Sequence, residues 1–117
     1  MKTNPEESLR SAAQLMNVLA DPARLRILNL LRAKAELCSC DIGPITGYIP
    51  SKISRHLSVL KQVDLLQERR EGTFIHYRLI RTTDPVVKRV LGTVDLLART
   101  DLQLQADRES LSAGVCC

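Results

Sequence analysis

The sequence predicts a mainly helical fold with a single β-hairpin. Four segments before residue 63 and one after residue 84 have the residue pattern of helices. Between residues 65 and 80, two short runs rich in Leu, Phe, Ile and Tyr flank Arg70-Glu71-Gly72, a pattern typical of a hairpin. Only three aromatic residues are present, so the core must consist of aliphatic side chains, which suits packed helices.

The first two helices are predicted over residues 6–19 and from Pro22 to about Ala33. Asp21 is expected to cap the second helix because Asp is a preferred capping residue and proline is tolerated at the first helical position. This second helix is apolar nearly all round, apart from three arginines, so we expect it to be central in the fold.

A short or irregular helix is predicted over residues 37–47, because Gly43-Pro44 fits poorly inside a regular helix. Ser51 is expected to cap the next helix, which extends to Gln62. Its apolar face carries Ile53, Leu57 and Leu60. Its opposite, solvent-facing side is expected to show five polar residues, namely Lys52, Arg55, His56, Ser58 and Lys61.

After the hairpin, Thr82-Thr83-Asp84-Pro85 is expected to open a last helix with an apolar stripe that ends near Leu97. The periodic pattern fades beyond about Asp101. We therefore expect one domain over residues 1–100 and a flexible tail over residues 101–117. A short helix, a turn, a basic-faced helix and a hairpin, in that order, make a winged helix-turn-helix.

The positive charge of the chain is concentrated in this predicted helix-turn-helix and wing. Residues 51–81 contain seven basic and three acidic side chains, a local excess of +4 that equals the net charge of the whole chain. Such a patch is expected on a surface that binds a polyanion. A solvated charged face is the alternative, but the order of the elements favours double-stranded DNA.

The helix from Ser51 to Gln62 is expected to lie in the major groove, with its first residues at the base edges. The hairpin tip is expected to reach phosphates or the minor groove. The candidate DNA-binding residues are Ser51, Lys52, Ser54, Arg55 and His56 on the helix, and Arg69 and Arg70 on the wing. The chain offers no obvious nucleophile–base pair and no C-x-x-C motif, so we do not expect an enzyme.

Two pairs of cysteines are candidates for metal binding. Cys38-Ser39-Cys40 comes just before the reading helix, and Cys116-Cys117 ends the sequence. No secretory signal or membrane-length apolar run is visible, so we expect a cytoplasmic protein with no membrane partner, in which thiols favour metal or redox chemistry over structural disulfides. Buried apolar thiols in the first pair, and adventitious thiols in the second, remain alternatives.

Within a regular helix, residues two positions apart point to nearly opposite faces. One ion could therefore hold both Cys38 and Cys40 only if the start of the helix is unwound. Because Asp41 follows the pair, the segment is expected to lie near the surface. Two thiolates suit a trigonal, thiophilic ion such as As(III) or Sb(III) better than tetrahedral zinc.

Several motifs resemble those of the ArsR/SmtB family of metal-sensing repressors, in particular its arsenical-responsive branch. The resemblance covers roughly residues 10–98. It rests on four segments: Leu19 to Leu28, Glu36-Leu37-Cys38-Ser39-Cys40-Asp41-Ile42, Ser51 to Leu57, and Arg70-Glu71-Gly72 through His76-Tyr77-Arg78-Leu79. The family implies a homodimer formed by the first and last helices. It also implies binding to operator DNA and derepression when As(III), Sb(III) or a related ion such as Cd(II) binds.

The sequence departs from the family pattern at one informative position. Many arsenic-responsive members have a third cysteine three residues after the second, where this chain has Gly43. Cys38 and Cys40 suffice alone, or Cys116 or Cys117 completes the site. A thiol-based redox or persulfide sensor of the same fold is the alternative function. In that case a disulfide to the tail pair would be less strained than one between Cys38 and Cys40.

Overall fold

The computed structural model describes residues 5–114, and Cys116 and Cys117 lie outside them. The elements follow in the order α1 (Pro5–Leu19), α2 (Pro22–Ala33), β1 (Leu37–Cys38), α3 (Ser39–Thr46), α4 (Pro50–Gln62), β2 (Leu66–Glu71), β3 (Phe74–Leu79), α5 (Pro85–Ala98) and α6 (Leu102–Ser112). The predicted mainly helical fold with one hairpin is confirmed. Helices α3 and α4 form the helix-turn-helix, and β2 and β3 form the wing.

Helix α2 lies at the centre of the molecule, as its all-round apolar character predicted. Ile27, Leu28 and Leu30 are completely buried, and helices α1, α4, α5 and α6 all pack against α2. The Asp21 carboxylate caps it by accepting hydrogen bonds from the backbone N–H groups of Ala23 at 2.8 Å and Arg24 at 3.2 Å. The predicted start of α2 is therefore confirmed.

The N-cap of helix α4 lies two residues earlier than predicted. Ile49 is its N-cap residue and makes no side-chain capping bond, and Pro50 is the first helical residue. Proline at this position already has a helical φ and has no N–H group to satisfy, so it can begin the helix without a polar cap. The prediction that Ser51 caps α4 is wrong, and Ser51 instead lies exposed in the first turn.

A two-residue strand, β1, joins the hairpin to form a three-stranded antiparallel sheet in the order β1-β3-β2. Leu37 pairs with Tyr77 and Cys38 pairs with His76. A two-residue strand is too short to show an alternating pattern, and the sequence analysis did not predict it. The strand links the segment that carries the first thiol pair directly to the wing.

The chain does not end in a tail at residue 101. Leu102–Ser112 form α6, capped by the Asp101 carboxylate, and α6 packs against α2, α3 and α5. The expectation of a domain that ends near residue 100 and a flexible tail from residue 101 is therefore wrong for residues 102–112, which belong to the folded domain. No helix within residues 5–114 is both long enough and apolar enough to cross a membrane.

Candidate thiol centre and nucleic-acid interface

Cys38 lies where β1 meets α3 and caps that helix. Its backbone is extended, with φ −75° and ψ 145°, and its sulfur accepts a hydrogen bond from the N–H of Cys40 at 3.4 Å. The Asp41 carboxylate accepts a bond from the N–H of Cys38 at 3.1 Å. This reciprocal arrangement is a capping box, with a cysteine in the position that serine or threonine usually occupies.

The sulfur atoms of Cys38 and Cys40 are 2.6 Å apart. The sulfurs can meet because Cys38 has an extended backbone outside the helix, which agrees with the expectation that both could hold one ion only if the start of the segment is not helical. The predicted helix start at residue 37 is wrong, since α3 begins at Ser39. Cys38 belongs to the strand side of the junction, so the two residues are not successive positions on one regular helix. Cys38 is buried, at 7% exposure, and Cys40 is half-buried, so only part of the pair is near the surface as expected.

Two cysteine sulfurs are the metal-ligating groups that this segment brings together. Within the described part of the chain, no three His, Cys, Asp or Glu side chains gather in a way that could hold an ion. Tetrahedral zinc sites use four protein ligands, or three with an open position. The arrangement therefore fits zinc poorly, and any further protein ligand would have to come from residues that the structure does not describe.

Helix α4 presents a polar face on the side opposite its buried residues. Ile53, Leu57 and Leu60 pack into the core, as predicted. Ser51, Ser54 and Arg55 are exposed at the start of the helix, and Lys52 is half-buried. Four of the five residues proposed to read DNA thus lie together on or beside the solvent face of the first two turns.

His56 is the exception, because it is buried at 6% exposure instead of facing solvent. The guanidinium of Arg24 lies 3.3 Å from its Nδ1, which therefore accepts the bond. Burial, together with the neighbouring cations, lowers the pKa of His56 despite the opposing effect of Asp21. The neutral ring joins α4 to α2. Its position three residues after Ile53 and four before Leu60 was the signal that it belongs to the buried face.

The wing differs from the expectation at its tip. The turn consists of Gly72 and Thr73, and Gly72 has φ +61°, which favours glycine. Arg70 is exposed next to this turn, opposite Ile75. Arg69 lies further back, opposite His76, and its guanidinium pairs with Glu36 at 2.6 Å, which lowers the pKa of that carboxyl. Arg70 is thus the better placed of the two for DNA.

The profile of bacterial regulatory proteins of the arsR family matches residues 21–68, from the start of α2 into the wing. The chain is 34% identical over 79 residues to the arsenical resistance operon repressor of Bacillus subtilis strain 168, covering 68% of this chain and 75% of that protein. The chain belongs to the arsR family. Members of this family are DNA-binding transcriptional regulators and not enzymes.

The arsenical resistance operon repressor of Escherichia coli K12 is 46% identical over 66 residues, which are 56% of this chain and 56% of that protein. The match thus spans little more than half of the E. coli protein. Two of the solved structures that are similar to this arsR-family chain bear on its fold and function. A homodimeric winged helix-turn-helix DNA-binding domain of Mycobacterium bovis has a TM-score of 0.67, 31% identity, and coverage of 87% of this chain and 91% of its own.

The second structure is the antimony-specific transcriptional repressor AntR, with a TM-score of 0.65 and 31% identity, covering 82% of this chain and 83% of its own. The winged helix-turn-helix prediction is therefore confirmed twice, by the elements of the chain and by its structural relatives. One polar group beside the helix-turn-helix was not predicted from the sequence, and it consists of Arg26, Tyr48 and Asp107. No short motif marks them, because 22 and 81 residues separate Arg26 from its two partners.

Proposed function

We propose that this arsR-family protein is a homodimeric repressor that releases operator DNA when As(III) or Sb(III) binds the thiolates of Cys38 and Cys40. The observation that carries the proposal is that the two sulfurs lie side by side at the N-terminus of α3, the first helix of the helix-turn-helix. Soft thiolate ligands select thiophilic ions. Two relatives named for arsenical resistance and one named for antimony support the same class of inducer.

Capture of an ion would remove an interaction that holds α3 in place. The Cys38 sulfur caps α3 through the N–H of Cys40, and a bound ion would compete for that sulfur. Loss of an N-cap typically costs about 1 kcal/mol. Because the backbone of Cys38 also pairs with β3, the same event would act on the wing. A coupling of roughly 1–3 kcal/mol, typical of allostery, would weaken DNA binding about 5- to 150-fold.

Helices α1 and α5 offer a surface for the second copy of the chain. They border an apolar groove of about 340 Å³, which is lined chiefly by Met16, Leu19, Leu25, Val90, Val94 and Leu97. Exposed Leu9 on α1 and Leu96 on α5 add further apolar area on the same two helices. A twofold dimer would set its two α4 helices about 34–36 Å apart, the spacing of successive major grooves.

Cys116 and Cys117 are proposed to supply a third thiolate. The support is the packing of α6 against α3, since α6 ends at Ser112, four residues before Cys116 in the sequence. A chain of four residues can span at most roughly 14 Å. A third sulfur would complete the trigonal site that the first pair begins.

The test follows DNA release by fluorescence anisotropy. Fully reduced protein is bound to a labelled duplex selected from a random library, and arsenite, antimonite or Cd(II) is then added. Cys38→Ser and Cys40→Ser are expected to raise the half-releasing concentration at least about tenfold, because each removes a protein–ion bond. Ser39→Ala, which changes the residue between the two thiols, serves as the matched control and should respond like wild type.

Release of Cys38→Ser at the wild-type concentration would disprove the proposed site. Cys116→Ser/Cys117→Ser tests the third ligand, since unchanged release would show that the first pair suffices. Release by peroxide or polysulfide, but by none of the three ions, would favour the redox alternative. Mass spectrometry would then identify the modified cysteines.

A further inference from the structure

Tyr48 lies in the turn between α3 and α4, with cationic side chains from two different helices against it. The Lys52 ammonium nitrogen, from the first turn of α4, lies 4.0 Å from the centre of the Tyr48 ring. The Arg26 guanidinium carbon, from α2, lies 5.1 Å from the same centre. Arg26 also donates a hydrogen bond to the Tyr48 hydroxyl at 3.2 Å. Both distances to the ring are within the range of cation–π attraction.

Arg26 is itself fixed by a buried carboxylate on α6. Its Nε and Nη2 donate to the two oxygens of Asp107 at 2.8 and 3.0 Å. Asp107 is 2% exposed and also accepts a bond from the amide of Gln103 at 2.9 Å. A bidentate pair with low exposure leaves the guanidinium little freedom. Arg26 is therefore a rigid support for the ring of Tyr48.

We propose that Tyr48 is a positioning residue for DNA binding, which holds the Lys52 ammonium in place at the start of α4 for an acceptor oxygen on the DNA. The Arg26–Asp107 pair acts behind Tyr48 and links α6 to the groove-reading helix. This inference rests on α4 being the helix that binds DNA. It does not depend on the thiols or on any inducer.

The physical reason is the flexibility of lysine. A lysine side chain loses roughly 1.5–2 kcal/mol of rotamer entropy when it is ordered. Holding the ammonium over an aromatic ring before DNA arrives reduces the part of this cost that binding must offset. Exposed cation–π contacts of about 0.5–1 kcal/mol are strong enough to bias the Lys52 side chain toward this rotamer.

The test is a double-mutant cycle on the thiol-reduced, inducer-free protein with a labelled duplex selected from a random library. Tyr48→Leu is expected to weaken DNA binding about fivefold in the wild-type background and less than twofold in a Lys52→Met background. Tyr48→Phe retains the ring and should stay within twofold of wild type. Ile49→Ala, at the neighbouring exposed position of the same turn, is the matched control and should also stay within twofold.

An equal loss for Tyr48→Leu in both backgrounds would overturn the proposal, because Tyr48 would then act without Lys52. A loss of less than twofold in the wild-type background would also overturn it. A second measurement needs only folded wild-type protein. The ε-methylene proton resonances of Lys52 should be shifted upfield by the ring current of Tyr48, and unshifted resonances would contradict the contact.

Discussion

The cations on the α6 side of the molecule form ion pairs with carboxylates, whereas those at the start of α4 do not. On the α6 side, Arg26 pairs with Asp107, and Arg32 and Arg108 both pair with Asp95. At the start of α4, neither Lys52 nor Arg55 forms an ion pair with any residue that the structure describes. Each of these side chains carries a single positive charge, but only those of the second group have a charge available to a polyanion.

This difference explains why net charge alone is a weak guide to a DNA-binding surface. Segments with similar numbers of basic residues differ in whether the fold brings carboxylates to them. The paired arginines join α2 to α5 and α6 and hold the scaffold together. The unpaired cations lie on an exposed helical face whose position is set by that scaffold.

Removing the charge of Asp107 should have the largest effect, and the effect should be on folding. Asp107→Asn leaves the Arg26 guanidinium without its buried partner, which is expected to lower the free energy of unfolding by about 3 kcal/mol. Urea unfolding followed by circular dichroism measures this change. Replacing both partners, Arg26→Met with Asp107→Leu, should recover much of the loss, because no buried charge is left unpaired.

Glu36→Gln is the control for the Asp107 prediction. It breaks the exposed pair between Glu36 and Arg69 and should leave the unfolding midpoint close to that of wild type. If Asp107→Asn were as stable as Glu36→Gln, the buried pair would not support the scaffold. The claim that the paired arginines have a structural role would then be wrong.

The second prediction distinguishes the cations of α4 from the paired arginines by the salt dependence of DNA binding. Arg55→Ala should weaken binding to a selected duplex about tenfold, and, if the side chain meets a phosphate, should reduce the slope of log K against log salt by about one. Its unfolding free energy should change by less than about 0.5 kcal/mol, because Arg55 is exposed. Anisotropy titrations at several salt concentrations measure both binding quantities.

Arg32→Ala is the matched variant on the other side of the molecule. It removes the same charge from an arginine that is paired with Asp95, so it should lower stability without changing the salt slope. Equal salt slopes for Arg55→Ala and Arg32→Ala would contradict the division between DNA-binding and structural cations. A loss of DNA affinity confined to Arg55→Ala would instead place the contact surface on α4.

The parts of the fold that were predictable from the sequence share one physical property. Local signals are enough for α2, where Asp21 caps the helix and Pro22 occupies its first position, and for α4, where Ile53, Leu57 and Leu60 recur at helical spacing. Each of these signals involves residues that are close in sequence. The helix-turn-helix could therefore be recognised without knowledge of tertiary contacts.

The parts that were missed depend on polar residues whose partners are distant in sequence. Asp107 occupies a buried position of α6, where a charge breaks the apolar pattern, and its partner Arg26 is 81 residues away. His56 occupies a buried position of α4, and its partner Arg24 is 32 residues away. In both cases burial is offset by a contact that only the tertiary fold supplies. The polar chemistry of the two side chains therefore indicated the surface, even where, as for His56, the helical spacing indicated the buried face.

The third prediction concerns pH and is the smallest in magnitude. Hydrogen bonds from Arg32, and then from Arg108, lower the pKa of Asp95 despite partial burial. A carboxyl with a lowered pKa in the folded state stabilises the protein above its unfolded pKa of about 3.9, and the contribution is lost as pH falls through the folded value. Asp95→Asn should therefore cost less than about 1 kcal/mol at neutral pH, since Asp95 is 40% exposed and solvent screens the pairs.

Urea unfolding above and below about pH 4 distinguishes this effect from other acid-sensitive contributions. The gap between wild type and Asp95→Asn should narrow as the pH falls below 4, because wild type loses an interaction that the variant already lacks. A gap that stays constant down to low pH would show that Asp95 acts through neutral hydrogen bonding. The arginines around it would then need no charged partner, and the contrast with the unpaired cations of α4 would no longer be electrostatic.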